Sequence, residues 1–208
     1  MSSTETEISS VNSILGSIGQ APVSRIYQDV NGELEYINPE IAFIHNLLME
    51  VNSDVQNEGW TWNTENDFEL LPDNNQEFLI PADVLRMDVS EGQVYRTTDV
   101  VRRNGKLYNK LTHSYKFPNS PLHFDIVWKL DYEELPSAIK RYITLRASGR
   151  AATQMVANPQ LVQLLATQEA QARAAALEYE CNQGDYTFFG TPAGTSYRSY
   201  QPYRTLAR

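Results

Sequence analysis

The sequence predicts an α+β fold: an antiparallel helical bundle of about four helices, an inserted small antiparallel β domain and an extended C-terminal arm. Three observations carry this expectation. Apolar residues recur at helical spacing up to Gly59 and again from Asp131 to Cys181. Between these stretches the period shortens to alternation, broken by Pro, Gly and Asn-Gly. The last 25 residues show no periodic apolar face. The implied boundaries are residues 1–59 with 131–183 for the bundle, 60–130 for the β domain and 184–208 for the arm.

The first helix is expected over Thr4 to Ile18. Thr4 and Glu7 fit a capping box, Ile8, Val11, Leu15 and Ile18 form one stripe, and Gly19 stands where a C-cap glycine belongs. Pro22 prevents continuation, and a turn-prone connection with Asn31-Gly32 follows. Asn38-Pro39 then reads as N-cap and first helical residue, and Ile41, Ile44, Leu48, Val51 and Val55 carry a second amphipathic helix toward Gly59.

At Trp60 the pattern changes. Trp60, Trp62, Phe68, Leu70, Phe78, Ile80, Val94 and Tyr95 occur in short runs between Pro72, Pro81 and Gly92. The clearest piece is Val100 to Tyr108, because its central Asn104-Gly105 is the preferred core of a type I′ hairpin turn. His123 to Leu130 is expected to close the sheet.

Two tandem helices joined at Val156-Ala157-Asn158-Pro159 complete the bundle. Ile139, Tyr142, Ile143, Ala147, Ala151 and Met155 recur on the first, while Lys140, Arg141, Arg146 and Arg150 are expected to make the rest of its surface basic. The second opens with Asn158 as N-cap and Pro159 in the first turn, and carries Leu161, Leu164, Leu165, Ala172, Ala176 and Tyr179. Small residues on many of its faces, Ala170, Ala174 and Ala175 among them, admit close helix neighbours. The pair offers more helix surface than one small core needs, so Lys140, Arg141, Arg146 and Arg150 are candidates for a face turned toward a neighbouring subunit.

Charge is divided unevenly. Met1 to Gly92 contains 17 acidic and 2 basic residues, and Gln93 to Arg208 contains 9 acidic and 15 basic, within a net charge of -9. Two solvated surfaces account for this, as does a chain that meets different partners at its ends or packs head to tail. The N-terminus shows no basic region followed by an apolar run, and no stretch is long and apolar enough for a membrane span. The single Cys181 excludes an intrachain disulfide and fits an intracellular site of synthesis.

No catalytic signature, cofactor motif or metal motif is present, so no enzyme activity and no cofactor are expected. His45, His113 and His123 are scattered and read as structural. Cys181 near a helix C-terminus reads as inert. Glu133 and Glu134 fit the start of the helix pair, where the dipole favours carboxylates. Trp60 and Trp62, as alternate strand residues, read as core rather than as a ligand platform. The Arg102-Arg103-Asn104-Gly105-Lys106 tip reads equally as a solubilising turn or as a nucleic-acid contact.

The arm is rich in aromatics for a solvated tail. Tyr197, Tyr200 and Tyr203 recur every third residue beside Arg198 and Arg204, which makes these five residues candidates for an interface with a partner or a neighbouring subunit. A single-stranded nucleic-acid binder using the same Arg and Tyr residues is the alternative from another functional class, and the acidic total argues against it.

Three segments in order carry a resemblance: Val11-Asn12-Ser13-Ile14-Leu15-Gly16-Ser17-Ile18-Gly19-Gln20-Ala21-Pro22-Val23, then Gly59-Trp60-Thr61-Trp62-Asn63, then Leu130-Asp131-Tyr132-Glu133-Glu134-Leu135-Pro136. Leu177-Glu178-Tyr179-Glu180 follows near the end of the last helix. The chain resembles the tail tubular protein A family, adaptor proteins of short-tailed bacteriophages. The resemblance implies a structural virion protein, assembled in the host cytoplasm, that forms a ring of twelve copies between the portal and the tail nozzle. It implies a helical bundle and a β domain in each copy, a central channel for passing double-stranded DNA, and neither membrane insertion nor enzymatic chemistry.

Overall fold

The computed structural model describes residues 5–30, 32–90 and 98–184. It is an α+β protein, with four α-helices and small antiparallel sheets among the described residues. The chain divides into two units, one drawn from residues up to Val55 and from Leu130–Glu180, the other built on Gln56–Lys129.

In the first unit, α1 spans Glu7–Ser17. Its capping box lies two residues beyond the expected Thr4 and Glu7. The Thr6 hydroxyl accepts from Ser9 N–H at 3.3 Å and the Ser9 hydroxyl accepts from Thr6 N–H at 2.9 Å, so serine takes the role expected of Glu7. The helix ends where anticipated. Gly19 has φ +80°, Gly19 N–H reaches the Gly16 carbonyl and Gln20 N–H reaches the Leu15 carbonyl at 2.9 Å, the two bonds of a Schellman closure. Val11, Ile14 and Leu15 are buried and α1 packs on the helix Ser137–Ala151.

The connection after α1 is more ordered than expected. It forms a hairpin of β1, Tyr27–Val30, and β2, Glu33–Tyr36, with Val30 opposite Glu33. α2, Pro39–Gln56, begins with the Asn38 carboxamide accepting from Ile41 N–H at 2.7 Å, and it buries Ile41, Ile44, Leu48, Val51 and Val55.

After a 3-10 turn at Tyr132–Glu134, α3 runs over Ser137–Ala151 and buries Ile139, Tyr142, Ile143, Ala147 and Ala151. A π-helical turn, Ala152–Val156, follows, closed by Ala157 N–H on the Ala152 carbonyl at 2.9 Å and by a left-handed Ala157 at φ 52°. The wider turn rotates later side chains off the stripe, and Met155, expected in the core, is exposed. α4, Pro159–Gly184, starts with Asn158 accepting from Gln160 N–H at 3.0 Å.

The second unit holds a three-stranded antiparallel sheet of β3 (Thr64–Leu70), β7 (Leu122–Trp128) and β4 (Val84–Val89), with β7 in the middle, and a hairpin of β5 (Val100–Arg103) and β6 (Lys106–Asn109). Asn104 and Gly105 have φ 51° and 72°, and Arg103 pairs with Lys106, so the type I′ turn stands where its dipeptide put it. Phe78, Val84, Leu107, Phe117, Phe124 and Ile126 form most of the core. Phe78 and Ile80 reach it from outside the named strands, through backbone bonds of Leu107 N–H to Phe78 and of Ile80 N–H to Gly105. The expected Val94 and Tyr95 lie outside the described residues.

Candidate assembly interface

The three segments that carry the resemblance turn out to be structural clamps. In the first, the Asn12 carboxamide bonds Val23 in both directions, accepting from its N–H at 2.8 Å and donating to its carbonyl at 2.9 Å, which ties the chain after α1 back to the helix. In the second, Trp60 and Trp62 lie in a turn rather than a strand. Asn63, 2% exposed, organises that turn: its side chain accepts from Trp60 N–H at 2.8 Å and donates to the carbonyls of Gln56 at 3.0 Å and Trp128 at 2.9 Å. Trp60 is buried, while Trp62 is half-buried. In the third, the Tyr132 hydroxyl meets the Ser10 hydroxyl at 2.8 Å and the Thr144 hydroxyl at 3.3 Å. Burial pushes its pKa up.

Lys140 corrects the expectation of a basic surface on α3. It is wholly buried, and its ammonium donates to the Glu133 carbonyl at 2.8 Å and the Glu5 carbonyl at 3.1 Å, with the Glu133 carboxylate at 3.8 Å. A cation in the first turn of a helix opposes the dipole, and these oxygens supply the compensation. Glu133 also accepts from Glu7 N–H at 2.9 Å, so it caps α1 and not the helix that follows it in sequence.

The other three cations divide. Arg141 is exposed. Arg150 bridges to α2, binding Glu50 at 3.1 Å and Asp54 at 2.8 Å. Arg146 donates to the Tyr142 hydroxyl at 3.0 Å and lies 4.0 Å from Glu169 of α4. Arg173 of α4 donates to the same hydroxyl at 2.9 Å, so two guanidiniums converge on the oxygen of a buried tyrosine. Arg173 was not singled out by sequence reasoning, because Tyr142 registers in a periodic stripe only as an apolar residue.

Beside this group lies a cleft of about 380 Å³ lined by Arg146, Arg150, Thr153, Val162, Ala166 and Glu169. α4 itself is sparsely covered. Over 26 residues it buries Leu165, Ala172 and Ala176, while Leu164 is 57% and Leu177 44% exposed.

The remaining candidates are scattered over both units. The Arg102-to-Lys106 tip is engaged within its unit: Arg102 donates to the Val84 carbonyl at 3.0 Å, Arg103 stacks 4.2 Å over Tyr108, and Lys106 binds the Glu77 carboxylate, which raises its pKa. His45 is buried between Tyr36 and Glu7, His123 lies 3.3 Å from Asp67, and His113 is exposed. Cys181 is exposed. Among the described residues no group of three or more His, Cys, Asp or Glu is placed to hold a metal ion, and no helix is long and apolar enough to cross a membrane. Tyr197, Arg198, Tyr200, Tyr203 and Arg204 lie outside the described residues.

A comparison with curated proteins finds no match. The sequence matches the family model described as tail tubular protein over residues 8–186, which takes in all three clamp segments and all four helices except the first residue of α1. The chain therefore belongs to the tail tubular protein family and is a structural component of phage tails.

Proposed function

We propose that this tail protein is the adaptor between portal and nozzle, assembled as a ring of twelve copies around a channel through which the genome leaves. The observation that carries this reading is the surface of α4. A helix of 26 residues, about 39 Å long at 1.5 Å per residue, leaves most of its length uncovered in its own subunit, including Leu164 and Leu177. Neighbouring subunits cover such a helix in a ring, and the opposite charge of the two halves of the chain suits a repeated head-to-tail contact. Residues 184–208 serve as the arm that binds portal or an adjacent adaptor through Tyr197, Tyr200 and Tyr203, with Arg198 and Arg204 meeting carboxylates.

The channel passes double-stranded DNA without gripping it. Even one unpaired Arg per copy would neutralise about twelve phosphates, at a salt slope near -0.9 each, and would hinder ejection. Three of the four cations on α3 are suited to a weak grip, since Lys140 is enclosed and Arg146 and Arg150 face carboxylates, and the exposed Arg141 turns toward a neighbouring subunit rather than into the channel. Mass measurement of the purified chain, alone and with portal, tests the reading. A discrete ring supports it, whereas a monomer that binds oligonucleotides in a salt-sensitive manner contradicts it.

A further inference from the structure

The β1–β2 hairpin and the α3–α4 cleft complement each other. Tyr27, Asp29, Leu34 and Tyr36 share one face of the hairpin, since Tyr27 pairs with Tyr36 and Asp29 with Leu34. The inner half of that face is covered: both tyrosine rings lie 5.7 Å from the His45 ring of α2. The outer half is bare. Leu34 is 76% exposed, and Asp29 beside it is exposed with its carboxylate held by Gly32 N–H at 2.8 Å. Glu33 and Glu35, on the opposite face, add negative charge. A ribbon of two short strands is marginal without a partner, and an exposed aliphatic residue with a carboxylate beside it marks what such a partner should offer.

The cleft offers it. Val162 and Ala166 give it apolar wall, and the Arg146 and Arg173 guanidiniums meeting on Tyr142 stand beside it. The exposure of Leu34 shows that the cleft of its own subunit is not filled by its own hairpin. We propose that Leu34 of one copy enters the α3–α4 cleft of the next, with Asp29 meeting the Arg146 and Arg173 guanidiniums. The two surfaces differ, so the contact is head-to-tail and propagates around a ring. This rests on the ring reading above and names the residues that join its copies.

Disulfide trapping tests it in a Cys181→Ser background, which removes the exposed native thiol. Rings of the chain carrying Leu34→Cys with Ala166→Cys, once oxidised, should give a ladder of covalent oligomers in denaturing, non-reducing gels, and neither single variant should. Charge exchange supplies a second measurement that leaves the apolar wall intact. Asp29→Arg should weaken assembly about tenfold, and Arg173→Asp in the same chain should restore it. Rings of normal mass that give no ladder and ignore Asp29→Arg overturn the hairpin contact while leaving the ring standing. A chain that forms no ring, alone or with portal, overturns both.

Discussion

Asn63 and Trp128 hold each other through two hydrogen bonds: the Asn63 carboxamide donates to the Trp128 carbonyl at 2.9 Å, and Trp128 N–H returns to the Asn63 carbonyl at 2.8 Å. The same carboxamide also accepts from Trp60 N–H and donates to the Gln56 carbonyl. One buried side chain thus satisfies three backbone groups from three segments of the second unit. Asn63→Ala leaves all three without it, and at roughly 1 kcal/mol per bond should cost about 3 kcal/mol. Denaturant unfolding measures this, and a loss under about 1 kcal/mol would show that water replaces the carboxamide.

Gly59, four residues earlier, has φ +80°, and a Cβ there would stand 2.9 Å from the Arg86 guanidinium. Gly59→Ala should cost about 1–2 kcal/mol through the left-handed backbone. Because the arginine tip can move, adding Arg86→Ala should recover little of that loss in the same unfolding measurement.

Lys140→Met removes the donor shared by the Glu5 and Glu133 carbonyls. The expected effect is destabilisation by about 2–3 kcal/mol, with earlier hydrogen exchange at the start of α1, since the lysine pins Glu5, the residue before its N-cap Thr6. Unchanged exchange there would remove Lys140 from the account of α1.

Alkaline pH should loosen the hairpin. The Tyr27 pKa is raised to about 12, first by burial and then by its hydrogen bond to Tyr36, with the Tyr36 and Glu7 charges adding to it. The folded state therefore holds this proton more tightly than the unfolded chain, whose tyrosine titrates near 10. The stabilisation is complete below pH 10 and is lost as pH rises toward 12. Tyr27→Phe should flatten the fall in stability over that window, and an unaltered slope would exclude Tyr27 as its source.

These residues also mark how far the sequence could be read. Asn38, Asn104-Gly105 and Asn158 were legible because each performs a local task, a cap or a turn, that depends on its immediate neighbours. The capping box slipped by two residues because Ser9 can return a bond as Glu does, and a pattern written for Glu misses it. Lys140 was misplaced because its partners are carbonyls of Glu5 and Glu133, and a main-chain acceptor leaves no trace in composition. Trp60 and Trp62 alternate like strand residues, yet Asn63 bends the chain into a turn. Strands β1 and β2 were too short and polar to register, although Asn31-Gly32 stood between them. Leu34 and Arg173 carry no local signal, because what makes each a candidate is exposure or a distant hydroxyl.

The arm gives a prediction that separates attachment from folding. Removing residues 184–208 should leave the melting temperature of the free subunit unchanged while abolishing attachment to portal or to the ring. A truncated chain that still assembles normally would take Tyr197, Tyr200 and Tyr203 out of the interface.

The central claim, that this tail protein is the portal-to-nozzle adaptor, is tested most directly by electron microscopy of tails isolated from virions. The account predicts a ring of twelve copies at the junction, with the uncovered faces of α4 against neighbouring subunits. A position away from the portal, or copies that leave Leu164 and Leu177 facing solvent, would contradict it.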